Sequence, residues 1–246
     1  MRFGSVLLFA LLTILAVASE AQPVGPQQPA AIPAAAPTDG PTELIITYRC
    51  PPPRRAAFRQ FMLETGLRRF DYWKQDGIFK DYRFLINWYV DVDQWDAMAL
   101  LSFTSYAQVA RWKEIEQTSP GGLIRDALEL AWPLSTVAAD LTAQSAPTEG
   151  KNPASSVFYV VPYDASGPAA FRDFEGILAN QLKPWTRDSL TSYRIYTNRY
   201  PGGKKWQGLL VLEYKDMDSF SRAKPLPKDG RAPERDSVIA DAIVAH

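Results

Sequence analysis

The sequence predicts an α+β protein in which one β-α-β-β-α-β unit occurs twice in tandem, with the two sheets packed into a barrel. Three observations predict it. Segments rich in β-branched and aromatic residues alternate with segments whose apolar residues recur at helical spacing. The second half repeats the first. Tyr82-Arg83-Phe84-Leu85-Ile86-Asn87-Trp88-Tyr89 aligns with Tyr193-Arg194-Ile195-Tyr196-Thr197-Asn198-Arg199-Tyr200 at an offset of 111, which also places Trp95 on Trp206, Phe103 on Tyr214, Ser105 on Asp216 and Arg111 on Arg222. Phe58-Arg59-Gln60-Phe61 aligns with Phe171-Arg172-Asp173-Phe174 at 113, and Val137-Ala138-Ala139-Asp140 resembles Val238-Ile239-Ala240-Asp241 at 101. Small drifts in offset, with the order kept, are what duplication followed by loop insertions and deletions leaves. Finally, 46% of the 246 residues are hydrophobic, ample for a core.

The elements follow in order. Arg2 and the apolar run from Val6 to Ala18, with small residues after it, read as a signal peptide over residues 1–21; an uncleaved anchor is the rival reading. Residues 22–41, rich in Pro, Ala and Gln, read as a disordered tether. The first unit spans 42–146 and the second 155–246, divided by a soft patch with Pro147, Gly150 and Pro153. Glu43 to Cys50 and Ser156 to Tyr163 are strand-like. Helices are expected from about Arg54 to Trp73, and from Pro168, a favoured first helical residue, past Leu178 and Leu182 to Trp185. Two strands come next in each unit, and Pro201-Gly202-Gly203 spells the second unit's turn. Ser105 and Asp216 are expected helix N-caps. The first unit adds a helix from Leu123 to Ala131, and last strands are expected over Ser135–Ala143 and Ser237–Ala245.

Composition removes several chemistries. Lys+Arg and Asp+Glu are 27 each, so no basic field draws a nucleic acid. Beyond the N-terminal run no segment is apolar for long enough to span a bilayer, so no stable membrane insertion is expected after signal cleavage. Cys50 is the single cysteine and reads as a buried, inert thiol. His246 is the single histidine and the last residue, which leaves no Ser-His-acid triad and no His or Cys cluster for zinc or non-haem iron. No P-loop or dinucleotide fingerprint is present, and no cofactor is expected.

Candidate binding residues lie on the second strand of each unit. Strand alternation puts Arg83, Leu85, Asn87 and Tyr89 on one face, and Arg194, Tyr196, Asn198 and Tyr200 on its equivalent. Tyr82, Phe84, Ile86 and Trp88 suit packing under helices. Turned inward, the two polar rows would line one cavity, Arg taking an anion or enolate while Asn and Tyr orient it. Alternatively, these groups satisfy one another and pin the sheets together. Trp95 and Trp206 open the third strands, as ligand walls or as core. Glu213 is the best-placed lone carboxylate for a base, although a solvated edge position is the simpler reading. Asp91, Asp93 and Asp96 read as a solvated hairpin turn rather than a calcium loop. Arg54-Arg55 and Arg68-Arg69 read as an exposed helix face.

The element order, written twice, resembles the ferredoxin-like dimeric α/β-barrel superfamily over residues 42–246, as a fused pseudo-dimer within one chain. The resemblance implies two sheets packed into one barrel, an intrachain pseudo-dimer able to stand as a monomer, and a range of activities that includes cofactor-independent monooxygenases and haem-handling proteins. Haem handling in that superfamily generally uses a histidine near the iron, which no internal position supplies here. The reading the sequence favours is a secreted or periplasmic, non-catalytic barrel that binds a small, partly apolar ligand or serves as a scaffold. Its alternative is a cofactor-independent monooxygenase- or isomerase-like enzyme acting on a small aromatic or carbonyl compound.

Overall fold

The computed structural model describes residues 42–145, 156–163, 168–187, 190–200, 206–223, 226 and 237–244, with the backbone alone for 168–174 and 187. The expected signal peptide, tether, dividing patch and Pro201-Gly202-Gly203 turn lie outside them. Eight strands close into one antiparallel barrel in the order β1-β3-β2-β8-β5-β7-β6-β4. These are β1 (Thr42–Arg49), β2 (Asp81–Asn87), β3 (Ala97–Phe103), β4 (Trp132–Gln144), β5 (Val157–Tyr163), β6 (Leu190–Asn198), β7 (Gly208–Tyr214) and β8 (Val238–Ile243). The order 4-1-3-2 of the first four strands recurs as 8-5-7-6 in the last four. Two seams join the sets, β2 against β8 and β4 against β6.

Strand alternation sorts the side chains into three cores. Outside the first sheet lie α1 (Arg55–Phe61), α2 (Leu67–Gln75) and α3 (Tyr106–Glu116), over a buried cluster that includes Tyr48, Phe58, Phe70, Phe79, Phe84 and Trp112. Phe70 is its hub, with ring centroids 5.4 Å from Trp73, 5.3 Å from Tyr82 and 6.0 Å from Phe84. Outside the second sheet, α5 (Pro168–Leu182) sets Leu178 and Leu182 on Ile195, Leu210 and Leu212. The third core fills the barrel: Ile45, Leu85, Met98, Leu100, Phe158, Val160, Tyr196, Leu209 and Val211. Burying one such side chain stabilises by about 1.5–3 kcal/mol. Cys50 is buried, its thiol pushed up to about 11, chiefly by burial and then by Asp96.

Local structure departs from the sequence expectation at three places. The helix expected from Arg54 to Trp73 is interrupted by a π-helical turn over Met62–Gly66. A side chain at 66 would start 2.4 Å from the Met62 sulfur, so only glycine lets Met62 fold back there. The helix expected from Leu123 to Ala131 shrinks to α4 (Arg125–Leu128), preceded by Gly121 and Gly122 at φ of 58° and 79°. Strand β4 is longer than expected because it pairs twice, with β1 over its first half and β6 over its second. The caps are as read: Ser105 accepts from the Gln108 N–H, and Asp216 from the Ser219 N–H at the start of α6 (Met217–Ser221).

Candidate active site

A cleft of about 410 Å3 opens outside the barrel, where α1 crosses the ends of β2 and β8. Its lining is Arg55, Ala56 and Arg59 from α1, Ile86 to Tyr89 from the end of β2, and Asp241 from β8. The volume falls within the range of small-molecule pockets. Arg55 and Arg59 stand one helical turn apart on one face, so both guanidinium groups reach the strand ends. Arg59 donates to Asp241 at 2.6 Å, and this pair remains partly open to solvent. Arg55 is held more tightly, paired with Asp96 and donating to the Asn87 carbonyl at 2.5 Å and the Tyr89 carbonyl at 3.1 Å. Asp96 is 4% exposed and also accepts from the Cys50 N–H at 2.8 Å. Two expectations are corrected here. Asp96 is a buried anchor rather than part of a solvated turn, although Asp91 and Asp93 are exposed. Arg55 is inward-facing, while Arg54, Arg68 and Arg69 are exposed.

The predicted residues are not brought together in one interior cavity. Arg83 and Arg194 lie four residues before Asn87 and Asn198, which end their strands, with Leu85 and Tyr196 between them in the barrel core. Four residues of strand cover roughly 13 Å, too far for one contact set. Asn87 is buried, its amide donating to the Trp95 carbonyl at 2.8 Å and accepting from the Tyr89 N–H at 2.9 Å. Asn198 does the same with Trp206 at 2.9 Å and Tyr200 at 3.0 Å. Both asparagines therefore tie off the strand end, and neither has its amide free for a ligand inside the barrel. Tyr89 and Tyr200 are exposed at 61% and 53%, which corrects their placement on the interior row. Tyr89 instead edges the external cleft. Trp95 and Trp206 are half-buried and pack on the barrel core.

The polar interior is a cluster of arginine, glutamate and serine. Glu213 is buried, not solvated as expected; Arg83 donates to it at 2.9 Å, Ser192 at 2.6 Å and Ser156 at 3.2 Å. Arg83 also lies over the Phe158 ring at 5.6 Å. Glu43 is its counterpart in the first sheet, accepting from Ser102 at 2.8 Å. Burial pushes the Glu43 carboxyl from 4.5 up to about 7, against the Ser102 hydrogen bond and the charge of Arg194, which favour the carboxylate. Burial also lifts Tyr196 to about 12, opposed by Arg194. The raised carboxyl of Glu43 and the cleft are thus in different places.

Sequence reading missed Arg55, Arg59, Asp241, Asp96 and Glu43 as site residues. A signal existed for three of them. Arg55 and Arg59 are spaced i, i+4 on a predicted helix, and Asp241 ends the Val-Ile-Ala-Asp stretch matched in the repeat. Nothing local marked Glu43 or Asp96, whose burial is a product of barrel closure.

No family model matches the sequence, and no curated protein does. Solved structures match in shape. One is of a candidate monooxygenase from Fusobacterium nucleatum, with a TM-score of 0.56, 12% identity, and coverage of 84% of this chain and 94% of that one. A candidate monooxygenase from Lactobacillus acidophilus gives 0.52 at 8% identity, covering 83% and 94%. An anthrone oxidase-like protein gives 0.53 at 10% identity, covering 84% and 92%. The chain thus has the α+β fold of the dimeric α/β-barrel proteins, with an antiparallel barrel of eight strands. The expectation of a non-catalytic barrel is corrected by these neighbours, which bear enzyme names.

Proposed function

We propose that the chain is an enzyme resembling the cofactor-independent monooxygenases, or a related isomerase, acting on a small aromatic or carbonyl compound in the α1 cleft. The observation that carries this reading is the cleft itself, where an open Arg59–Asp241 pair stands beside Trp88 and Tyr89. Asp241 takes a proton from an acidic carbon or hydroxyl of the substrate. Arg59 then holds the enolate that forms, and the aromatic side chains orient its plane. In the oxygenase case, dioxygen takes electrons from that carbanion, the carbon binds oxygen as a hydroperoxide, and loss of water leaves a carbonyl. One CH2 group and one O2 thus give one C=O and one water. In the isomerase case the proton returns at another carbon.

The repeat and the recurring strand order support a fused pseudo-dimer, and we take the N-terminal apolar run as an export signal that places the enzyme in a secreted or periplasmic setting. The test of the activity is oxygen uptake with polycyclic aromatic ketones that carry an acidic CH2 group and form enols. Activity is expected in the parent, with Arg59→Ala and Asp241→Asn each lowering kcat/KM by at least tenfold. No uptake across a broad panel, together with no proton exchange of the same compounds in deuterated water, would sink the reading.

A further inference from the structure

One end of the barrel interior carries a polar layer, on strand positions that do not line the α1 cleft. The repeat relates its residues in pairs. Arg83 on β2 matches Arg194 on β6, and Ser102 on β3 matches Glu213 on β7, both at the 111 offset. Glu43 on β1 matches Ser156, just before β5, at 113. The acid and the hydroxyl have thus changed places between the halves, and the two arginines meet different surroundings.

Arg83 is satisfied by Glu213 at 2.9 Å, in the other half of the chain. Arg194 is partly buried, and among the described residues no carboxylate stands within ion-pair distance of it. Glu43 and Asp81 act on it through longer-range charge. Glu43 itself accepts from Ser102 at 2.8 Å. On the same face of β6, the Tyr196 hydroxyl is fully buried and, among the described residues, meets no well-aligned hydrogen-bond partner, although Arg194 stands next to it. A guanidinium offers a fork of N–H donors, more than a tyrosine oxygen takes up. Buried polar groups of this kind call for a partner, and an ion is one that meets the need. The group that suits a guanidinium beside a hydroxyl is an oxyanion.

We infer that Arg194 and Tyr196 form a binding site for a small carboxylate, of acetate size, at this end of the barrel. The guanidinium fork takes the two carboxylate oxygens, and the Tyr196 hydroxyl donates to one of them. Glu43 sets when the site is available. Burial pushes its carboxyl up to about 7, so at pH 6 it is neutral and leaves the charge of Arg194 to the ligand. At higher pH its carboxylate competes for the same guanidinium. Of the other groups facing Glu43, Ser102 and Lys80 favour the ionised form and Asp81 opposes it. Neither Arg194 nor Tyr196 lines the α1 cleft, so the site stands apart from the proposed reaction.

Equilibrium dialysis of the full chain against radiolabelled acetate, at constant ionic strength, tests it. Saturable binding is expected at pH 6, weakened at least fivefold at pH 8.5. Arg194→Gln should weaken it at least tenfold, and Glu43→Gln should hold the pH 6 affinity at both pH values. If Arg194→Gln does not fold, Tyr196→Phe removes only the hydroxyl and should weaken binding about fivefold. Arg59→Ala, in the cleft, should keep the affinity within twofold. No saturable binding in the parent would overturn the inference, as would parental affinity in folded Arg194→Gln or in Tyr196→Phe. Loss of binding in Arg59→Ala would move the anion to the cleft and overturn it likewise. A pH dependence that survives in Glu43→Gln would overturn the role of Glu43. None of these readouts requires turnover, so failure here leaves the proposed reaction untouched.

Discussion

Glu43 and Glu213 occupy comparable depths in the barrel but are held differently. Glu213 has an arginine donor and two serines, whereas Glu43 has one serine, with Arg194 acting on it through charge. Burial leaves the Glu43 carboxyl at about 7, raised from 4.5, so the folded protein holds a proton there that the unfolded chain has released by neutral pH. Stability from this group is therefore fully present below pH 4.5 and declines as pH rises through 7, by about 3 kcal/mol in total. Asp81 deepens the effect, while Lys80 and Arg194 moderate it. Glu43→Gln should abolish this slope, so urea denaturation should find the variant more stable than the parent at pH 8 and nearly equal at pH 4.5. Equal denaturation midpoints for parent and variant at pH 8 would show that Glu43 titrates normally. At this scale the sequence was partly legible. Alternation put Arg83 and Arg194 inside, but the partner of Arg83 sits 130 residues away, beyond any local pattern.

Among the elements, the connection between α3 and β4 is tightly constrained. Gly122 has a φ of 79°, and a Cβ there would start 2.7 Å from Trp112 and 2.9 Å from Phe70. The Tyr48 hydroxyl donates to the neighbouring Gly121 carbonyl at 2.6 Å, fastening this turn to β1. Gly122→Ala should therefore destabilise by more than about 2 kcal/mol, from backbone strain plus displaced aromatic rings. A thermal midpoint unchanged within a degree would refute that account. Strand and helix identity were readable from periodicity here, as Phe84 under the helices and Leu85 in the barrel show. The π turn at Met62 and the double pairing of β4 were not readable. Both depend on what lies across the element rather than along it.

For the whole molecule, three cores are shared between two sequence halves, and the barrel core belongs to neither alone. Ile45 and Leu85 pack with Phe158 and Val211 only when both halves are present. Produced as two separate chains, 42–145 and 156–246 should be poorly soluble alone and form a one-to-one complex when made together, as read by light scattering. Two stable, non-associating monomers would refute the fused pseudo-dimer. The repeat made the recurring strand order legible, since Arg83 and Arg194 stand at equivalent places on β2 and β6. It could not reveal that Arg199 pairs with Asp140, because that contact joins residues 59 apart on different strands. The closed strand order also matters during synthesis. Until β8 and β6 emerge, β2 and β4 are bare rims with unmet amides and carbonyls, inviting any passing strand. A half-made chain is thus the stage most in need of a chaperone, and completion of the ring ends that exposure at both rims.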